Sequence, residues 1–211
     1  MENQKHLDQI SEIKKMMERS SRFISLSGLS GVFAGIWAIG GAMAAYIYFE
    51  MNILKPSFYE SFEYTRASRN VDDVLFFITD ALIVLVLTFA TGIYFTTRKA
   101  KKDGVAVWGK MSRKLLVNLF IPIVTGGVFC LLLYYHGEVL LIAPAMLIFY
   151  GLSLINASPF TLPDIRYLGM TEVVLGLISA YFVGYGLLFW TIGFGILHII
   201  YGMGMYFKYE R

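Results

Sequence analysis

The stretch VLFFITDALIVLVLTFATGIY, residues 74–94, decides the fold class because Asp80 is its only charged residue. A helix needs about 20 mainly apolar residues to cross the hydrocarbon core of a bilayer, and this stretch supplies them. The rest of the chain has the same character, since 57% of its 211 residues are hydrophobic and 16% are charged. Soluble domains carry roughly 25% charged residues. The stretch therefore predicts a transmembrane helix in a polytopic membrane protein.

Apolar runs on both sides of this stretch predict an all-α bundle with short loops and no soluble domain. The six predicted transmembrane helices are residues 23–49, 74–94, 115–135, 139–157, 167–186 and 188–207. The last two share one apolar run that is too long for a single span, so a turn is expected at Gly184-Tyr185-Gly186. A pair of re-entrant segments has a similar length and composition and stays open. Residues 1–22 are polar with helically spaced apolar positions, which predicts a cytoplasmic amphipathic helix.

Lysine and arginine are unevenly distributed between the two ends of the predicted bundle. Fifteen of the eighteen lie in the N-terminal segment, the 98–114 and 158–166 connections and the C-terminal tail. The other three, Lys55, Arg66 and Arg69, lie in the first connection. These basic clusters flank apolar spans, so they indicate orientation rather than nucleic-acid binding. Because positive residues near span ends stay on the cytoplasmic side, both termini are predicted to be cytoplasmic.

Two stretches carry a resemblance to known proteins. They are MMERSSRFISLSGLSGVFAGI at 16–36 and LPDIRYLGMTEVVLGLISAYFVGYGLLFWTIGFGILHIIYGMGMYFKYE at 162–210. Together they resemble an uncharacterised family of small six-helix bacterial inner-membrane proteins. The resemblance implies a bacterial inner (plasma) membrane location and six spans, and it implies no activity, cofactor or catalytic residue.

An ionisable side chain within a predicted span needs a physical reason, because it costs about 2.5–3.5 kcal/mol on insertion scales. Asp80 lies six residues into the second span, and Thr88 and Thr91 share its helical face. We expect this polar stripe to face the bundle interior. Asp80 would then bind a cation or relay protons; alternatively, a hydrogen-bonded Asp80 would only hold helices together.

The last two spans contain a second set of polar candidates, Glu172, Ser179 and His198. His198 lies near mid-depth, and Glu172 and Ser179 share one face of the fifth span with Gly176. A hairpin folded near residue 187 places Gly176 almost opposite His198 and Glu172 about one turn nearer the cytoplasm. Because histidine titrates near neutrality, His198 is a candidate proton-sensitive or ligand-binding residue. The structural alternative is a neutral buried histidine with a satisfied N–H.

Small residues recur every three or four positions along the first span and predict close helix packing. In lipid such a stripe lets another helix approach, because packing rather than hydrophobicity drives association. We expect the first span and the hairpin of the last two to contact a protein partner or a second copy. The stripe consists of Gly28, Gly31, Gly35, Ala38 and Ala42.

An intramembrane enzyme is a remote alternative. Gly28-Leu29-Ser30-Gly31 resembles the GxSG serine motif of the rhomboid intramembrane proteases, which also have a six-helix core and a histidine on the sixth span. The resemblance implies a Ser30 nucleophile activated by His198. However, Ser30 lies on the first span rather than the fourth, and the family's His/Asn pair on span two is absent.

No motif in the chain indicates a metal, nucleotide or haem. There is no HExxH, CxxC or Gly-rich phosphate loop, and Cys130 is the only cysteine. We therefore expect no cofactor, no metal site and no catalytic residue. The favoured function is a non-enzymatic membrane module that binds a protein partner or lipid. The alternative is a small proton- or cation-linked transporter or channel that uses Asp80 and His198.

Overall fold

The computed structural model describes residues 25–50, 71–104 and 106–211, and within these ranges the chain is helical without β-strands. The predicted all-α class is confirmed for this part of the chain. The predicted amphipathic helix over residues 1–22 and most of the connection after the first span lie outside the described residues.

The described residues form six helical segments. They are α1 (Gly28–Tyr48), α2 (Val71–Lys102), α3 (Lys110–His136), α4 (Val139–Phe160), α5 (Asp164–Tyr181) and α6 (Gly186–Tyr209). α4 begins and ends with a 3₁₀ turn, and α6 contains the π-helical segment Thr191–Leu197. Helices suit these apolar runs because a helix satisfies the backbone N–H and C=O groups that hydrocarbon cannot.

By length and composition, the described helices are those of a multi-pass membrane protein. Five of the six are long and apolar enough to cross a bilayer, namely α1, α2, α3, α4 and α6. α5 has only 18 residues and carries three charged side chains, Asp164, Arg166 and Glu172. α5 is therefore not among the helices that length and composition identify as membrane-spanning.

α2 and α3 extend further into the basic connection than the predicted spans do. α2 continues eight residues past residue 94, and α3 begins five residues before residue 115. Lysine and arginine are good helix formers, and their long side chains reach toward water from a helix end. The helices therefore do not stop where the apolar sequence stops, and Lys99 belongs to α2.

The helices pack in two groups of three that meet at α6. α1 lies between α2 and α6, and α4 lies between α3 and α5. The N-terminal half of α6 also contacts α4 and α5, which joins the groups. The main buried apolar cluster lies among α4, α5, α6 and the α4–α5 connection, and it consists of Leu154, Leu162, Ile165, Leu168 and Met205. Glu172 and His198 lie in two of these helices, α5 and α6.

Small residues bring the backbones of α1 and α6 into direct contact. A Cβ added to Gly31 would lie 3.3 Å from the Cα of Gly202, and one added to Gly35 would lie 2.5 Å from the carbonyl oxygen of Gly195. Side chains at these positions would push the two helices apart. Within the chain, the small-residue stripe is already packed, and its members are Gly28, Gly31, Gly35, Ala38 and Ala42.

α5 and α6 are joined by the short turn of residues 182–185. Gly184 in this turn has φ +111°, a conformation that residues with a Cβ rarely adopt. The two helices contain 18 and 24 residues, which corresponds to lengths of about 27 and 36 Å. The segment that the sequence left open as a hairpin or a re-entrant pair is therefore two continuous helices.

Candidate functional site

The π-helical segment of α6 ends immediately before His198 and positions its imidazole in the bundle interior. His198 is 7% exposed, and both ring nitrogens have close polar neighbours. Nδ1 lies 2.9 Å from the carbonyl oxygen of Gly193, and Nε2 lies 2.7 Å from the hydroxyl oxygen of Tyr150 on α4. Because a carbonyl only accepts, Nδ1–H donates to Gly193. In a neutral imidazole, Nε2 then accepts from the Tyr150 hydroxyl.

Glu172 of α5 lies against the same imidazole and is fully buried, with no exposed surface. Its Oε1 is 3.5 Å from His198 Nδ1, and neither carboxyl oxygen has a hydrogen-bond partner. Gly193 makes room for the carboxyl group, since a Cβ there would lie 2.5 Å from Oε2. We refer to Tyr150, Glu172 and His198 as the mid-helix cluster.

Aromatic rings surround the imidazole of His198. The Phe194 ring stacks at 6.0 Å between centroids and 17° between planes, and the Tyr150 ring lies 5.4 Å away. Phe194 also contacts Tyr150 and Trp190, with centroids 4.9 and 5.0 Å apart. The cluster therefore lies in an apolar pocket of rings, where an unpaired charge is strongly disfavoured.

Ser179 lies on the same face of α5 as Glu172 but does not join the mid-helix cluster. It is seven residues further along α5, which separates the two by about 10.5 Å along the axis. Its side chain is 1% exposed, and its hydroxyl oxygen has no hydrogen-bond partner. Ser179 is thus a second buried polar group on the inner face of α5.

Asp80 lies on the face of α2 that packs against α1. A Cβ added to Gly41 of α1 would lie 3.1 Å from Asp80 Oδ2, so the carboxyl group occupies the space that this glycine leaves. Thr91 bonds within its own helix, to the carbonyl oxygens of Leu87 and Thr88. Asp80 is half-buried and has no hydrogen-bond or ion-pair partner among the described residues.

The structure does not bring Asp80 and His198 together. Asp80 contacts α1 near Gly41, whereas His198 lies at the level of Gly31 and Gly35 on another face of α1. At 1.5 Å per residue, the two levels differ by about 12 Å along the helix axis. α1 therefore stands between the two residues that the transport hypothesis would use together.

Ser30 and His198 do not form a nucleophile–base pair either. The Ser30 hydroxyl donates to the carbonyl oxygen of Ser27 in the preceding turn. Both nitrogens of His198 are bonded to Tyr150 and Gly193. A serine nucleophile needs a base within hydrogen-bond reach, and this arrangement does not provide one.

A group of charged contacts at one end of the bundle was not anticipated from the sequence. The Glu210 carboxylate accepts hydrogen bonds from the Gly28 N–H and the Ser27 hydroxyl, at the N-terminus of α1. Lys99 Nζ lies 3.8 Å from Glu210 and donates to the carbonyl oxygen of Leu26 at 2.9 Å. Negative charge at a helix N-terminus is favourable, because unpaired N–H groups point toward it.

The C-terminal end of α6 also contacts the N-terminus of α5. Lys208 Nζ lies 3.0 Å from both carboxylate oxygens of Asp164, and the Tyr209 hydroxyl donates to Asp164 at 2.6 Å. These contacts tie the last turn of α6 to the first turn of α5. We refer to the charged and polar residues of this region as the end cluster, which consists of Ser27, Lys99, Asp164, Lys208, Tyr209 and Glu210.

Sequence reasoning identified Glu172 and His198 but missed Tyr150 and the end cluster. Tyr150 lies 48 residues before His198, and Ser27 lies 183 residues before Glu210, so neither pairing leaves a local pattern. The available signal for Tyr150 was only that a buried tyrosine hydroxyl usually has a partner.

In the described part of the chain, no group of three or more His, Cys, Asp or Glu side chains is placed to hold a metal ion. Comparisons with models of protein families, with curated proteins and with solved structures find no match.

Proposed function

We propose that this chain is a non-enzymatic module of the bacterial inner membrane that binds a partner protein within the bilayer. In this proposal it has six transmembrane helices, with α5 as the fifth, and both termini in the cytoplasm. The partner binds along the edge of α2 that carries Asp80.

The distribution of basic residues supports this orientation. The N-terminus of α1, the C-terminal end of α2 and the C-terminal end of α6 meet in the end cluster, through Ser27, Lys99 and Glu210. Fifteen of the eighteen Lys and Arg residues belong to segments that join the bundle at this end. The positive-inside rule then assigns this end to the cytoplasm.

The surface predicted from the small-residue stripe is not the one we propose for the partner, because α6 covers it. α2 is a better candidate, since its main neighbour among the described helices is α1 and its most apolar stretch buries none of its residues. Lipid chains alone can cover an apolar helix face. A surface that binds a partner protein therefore needs a polar group, with which lipid chains form no hydrogen bond.

Asp80 is that feature and is the single observation on which the proposal rests. A carboxyl group at membrane depth almost always pairs with another polar group or faces a water-filled cavity. Asp80 lies at the α1–α2 groove, half-buried, without a partner among the described residues. A transmembrane helix that offers a hydrogen-bond donor, such as a lysine, arginine or asparagine side chain, would satisfy it.

Site-specific photo-cross-linking in membranes tests this proposal. Ile83 lies about 60° around the helix from Asp80, whereas Leu82 lies about 160° away at nearly the same depth. The two side chains are 53% and 54% exposed, so they form a matched pair. We expect a photoreactive residue at Ile83 to yield one defined cross-linked product, and the same residue at Leu82 to yield none.

The cross-link at Ile83 should disappear in the variant Asp80→Leu, because leucine is satisfied by lipid and offers no polar contact. Equal products at Ile83 and Leu82, or a product that survives Asp80→Leu, would overturn the proposal. A product with the mass of two copies of this chain would also overturn it, since the partner would then be a second copy.

A further inference from the structure

The mid-helix cluster places two ionisable side chains against each other in the bundle interior. Glu172 Oε1 and His198 Nδ1 are 3.5 Å apart, and the two side chains are 0% and 8% exposed. Among the described residues, the only other titratable side chain that faces them is Tyr150, from α4. Where α1 packs against this part of α6, it contributes Gly31 and Gly35, which carry no charge. No third charge in the described chain therefore compensates the pair.

Charge neutrality limits the pair to one exchangeable proton. A neutral carboxylic acid beside a neutral imidazole and a carboxylate beside an imidazolium contain the same number of protons and the same net charge of zero. Removing a proton leaves an uncompensated anion, and adding one leaves an uncompensated cation, in surroundings that solvate neither. Glu172 and His198 thus act as one titrating unit rather than two.

The hydrogen-bond geometry identifies the resting form of this unit. Nδ1–H donates to the Gly193 carbonyl oxygen at 2.9 Å rather than to Glu172, so the ring proton is not shared with the carboxyl group. The Nδ1–Oε1 separation of 3.5 Å exceeds that of a charge-assisted hydrogen bond. The exchangeable proton therefore resides on the carboxyl group of Glu172.

We propose that Glu172 and His198 form a binding site for one proton in the interior of the protein, with Tyr150 as the positioning residue of the imidazole. The site releases its proton from Glu172 when the pH rises and takes it up again when the pH falls. The Tyr150 hydroxyl lies 2.7 Å from Nε2 and donates to it in the neutral imidazole, which fixes the ring beside Glu172 in both states of the site.

Two features of α6 fit a site of this kind. The π-helical segment Thr191–Leu197 is a rare distortion that is often found at functional sites, and it contains the carbonyl group that binds Nδ1–H. Gly193 supplies that carbonyl and also leaves the space that Glu172 occupies. Proton release would create a carboxylate against the Gly193 backbone, so it would weaken the contact between α5 and α6.

Infrared spectroscopy of the full chain in lipid nanodiscs, with ¹³C-labelled glutamate, tests the site without any substitution. We expect a carbonyl stretching band of a protonated glutamic acid near neutral pH, and its loss as the pH rises. The ring ¹⁵N resonances of His198 should shift over the same pH range, since the new carboxylate lies next to Nδ1. Tyr150→Phe should move the midpoint of both changes together.

Two variants assign these signals. Glu172→Gln should abolish the band and the pH-dependent shift of His198, whereas Asp80→Asn, which removes the other carboxyl group in an apolar span, should leave both unchanged. Absence of a protonated glutamic acid band in the folded wild-type chain would overturn the proposal, as would a band and a His198 resonance that do not change together. The test measures no partner binding, so the proton site and the proposed partner can fail independently of each other.

Discussion

The end cluster and the mid-helix cluster both include residues of α6, but the carboxyl groups in the two clusters have opposite environments. In the end cluster, Glu210 accepts bonds from Ser27 and the N-terminus of α1, and Asp164 accepts from Lys208 and Tyr209. In the mid-helix cluster, both oxygens of Glu172 are buried without a hydrogen-bond donor.

This contrast separates charges that support the fold from charges that need another explanation. A carboxylate bonded to a helix N-terminus or a lysine stabilises the helix ends that it joins. A buried carboxyl group without a donor costs stability, and such groups are concentrated at functional positions. The comparison therefore agrees with a structural role for the end cluster and with the proton-binding role that we propose for Glu172 and His198.

The largest effect is expected from Gly193→Ala, which removes the space beside Glu172. The new Cβ would lie 2.5 Å from both Glu172 Oε2 and Leu147 Cδ2. Both side chains are fully buried, so neither can move into solvent, and such overpacking lowers the free energy of unfolding by about 1–3 kcal/mol. Gly204→Ala on the same helix is the control, since a Cβ there meets nothing within 4 Å. Thermal unfolding in detergent should separate the two variants, and equal stabilities would contradict the close packing around Glu172.

Glu210→Gln is expected to have the next largest effect, because it weakens the cap on α1. Glutamine still accepts a hydrogen bond but removes the negative charge at the helix N-terminus, which contributes up to about 2 kcal/mol in a partly buried position, and Lys99 would lose a nearby carboxylate. Glu138→Gln, an exposed glutamate elsewhere in the chain, is the control. If denaturant unfolding finds no difference between these variants, the end cluster is not a structural element.

A smaller effect is expected from Tyr150→Phe, which removes one hydrogen bond and keeps the ring. The free energy of unfolding should fall by about 0.5–1.5 kcal/mol, since Nε2 of His198 loses its donor. The ring ¹⁵N shifts of His198 should change at the same time, because the tautomer is no longer fixed from both sides. Unchanged shifts would mean that Tyr150 does not position the imidazole.

Lys208→Gln should have the smallest effect on the free energy of unfolding. Of the four substitutions, its effect should depend most strongly on salt concentration. The Lys208 side chain is 57% exposed, so water and ions screen its pairing with Asp164. Unfolding measured at low and at high NaCl should show a difference from the parent chain that shrinks with salt. A difference that persists at high salt would indicate that Lys208 acts through packing instead.

Some of this organisation follows from sequence, because hydrophobic run length and the cost of buried charge are local properties. The run around Asp80 predicts a long apolar helix, and the isolated Glu172 and His198 stand out within theirs. The residues that contact them lie far away in the sequence. These contacts depend on where each helix begins and on which face it presents to its neighbours.

The position of the α5–α6 turn illustrates this limit. A fold point near residue 187 puts Glu172 one turn away from His198, but the observed turn lies at residues 182–185. The earlier turn, together with the π-helical segment that follows it, brings Glu172 beside Gly193 and His198. The predicted turn, Gly184-Tyr185-Gly186, overlaps the observed one, but a shift of a few residues decides whether the two ionisable groups meet, and the glycines do not fix the turn that closely.

In the proposed topology, the middle of α6 lies in hydrocarbon and its C-terminal end lies at the cytoplasmic surface. Cysteine labelling with a membrane-impermeant maleimide tests this directly, in a Cys130→Ser background that contains no other cysteine. Lys208→Cys should be labelled in inside-out vesicles but not in intact cells. Ile200→Cys, 58% exposed and two residues from His198, should be labelled in neither. Labelling of Ile200→Cys from either side, or of Lys208→Cys in intact cells, would contradict the account.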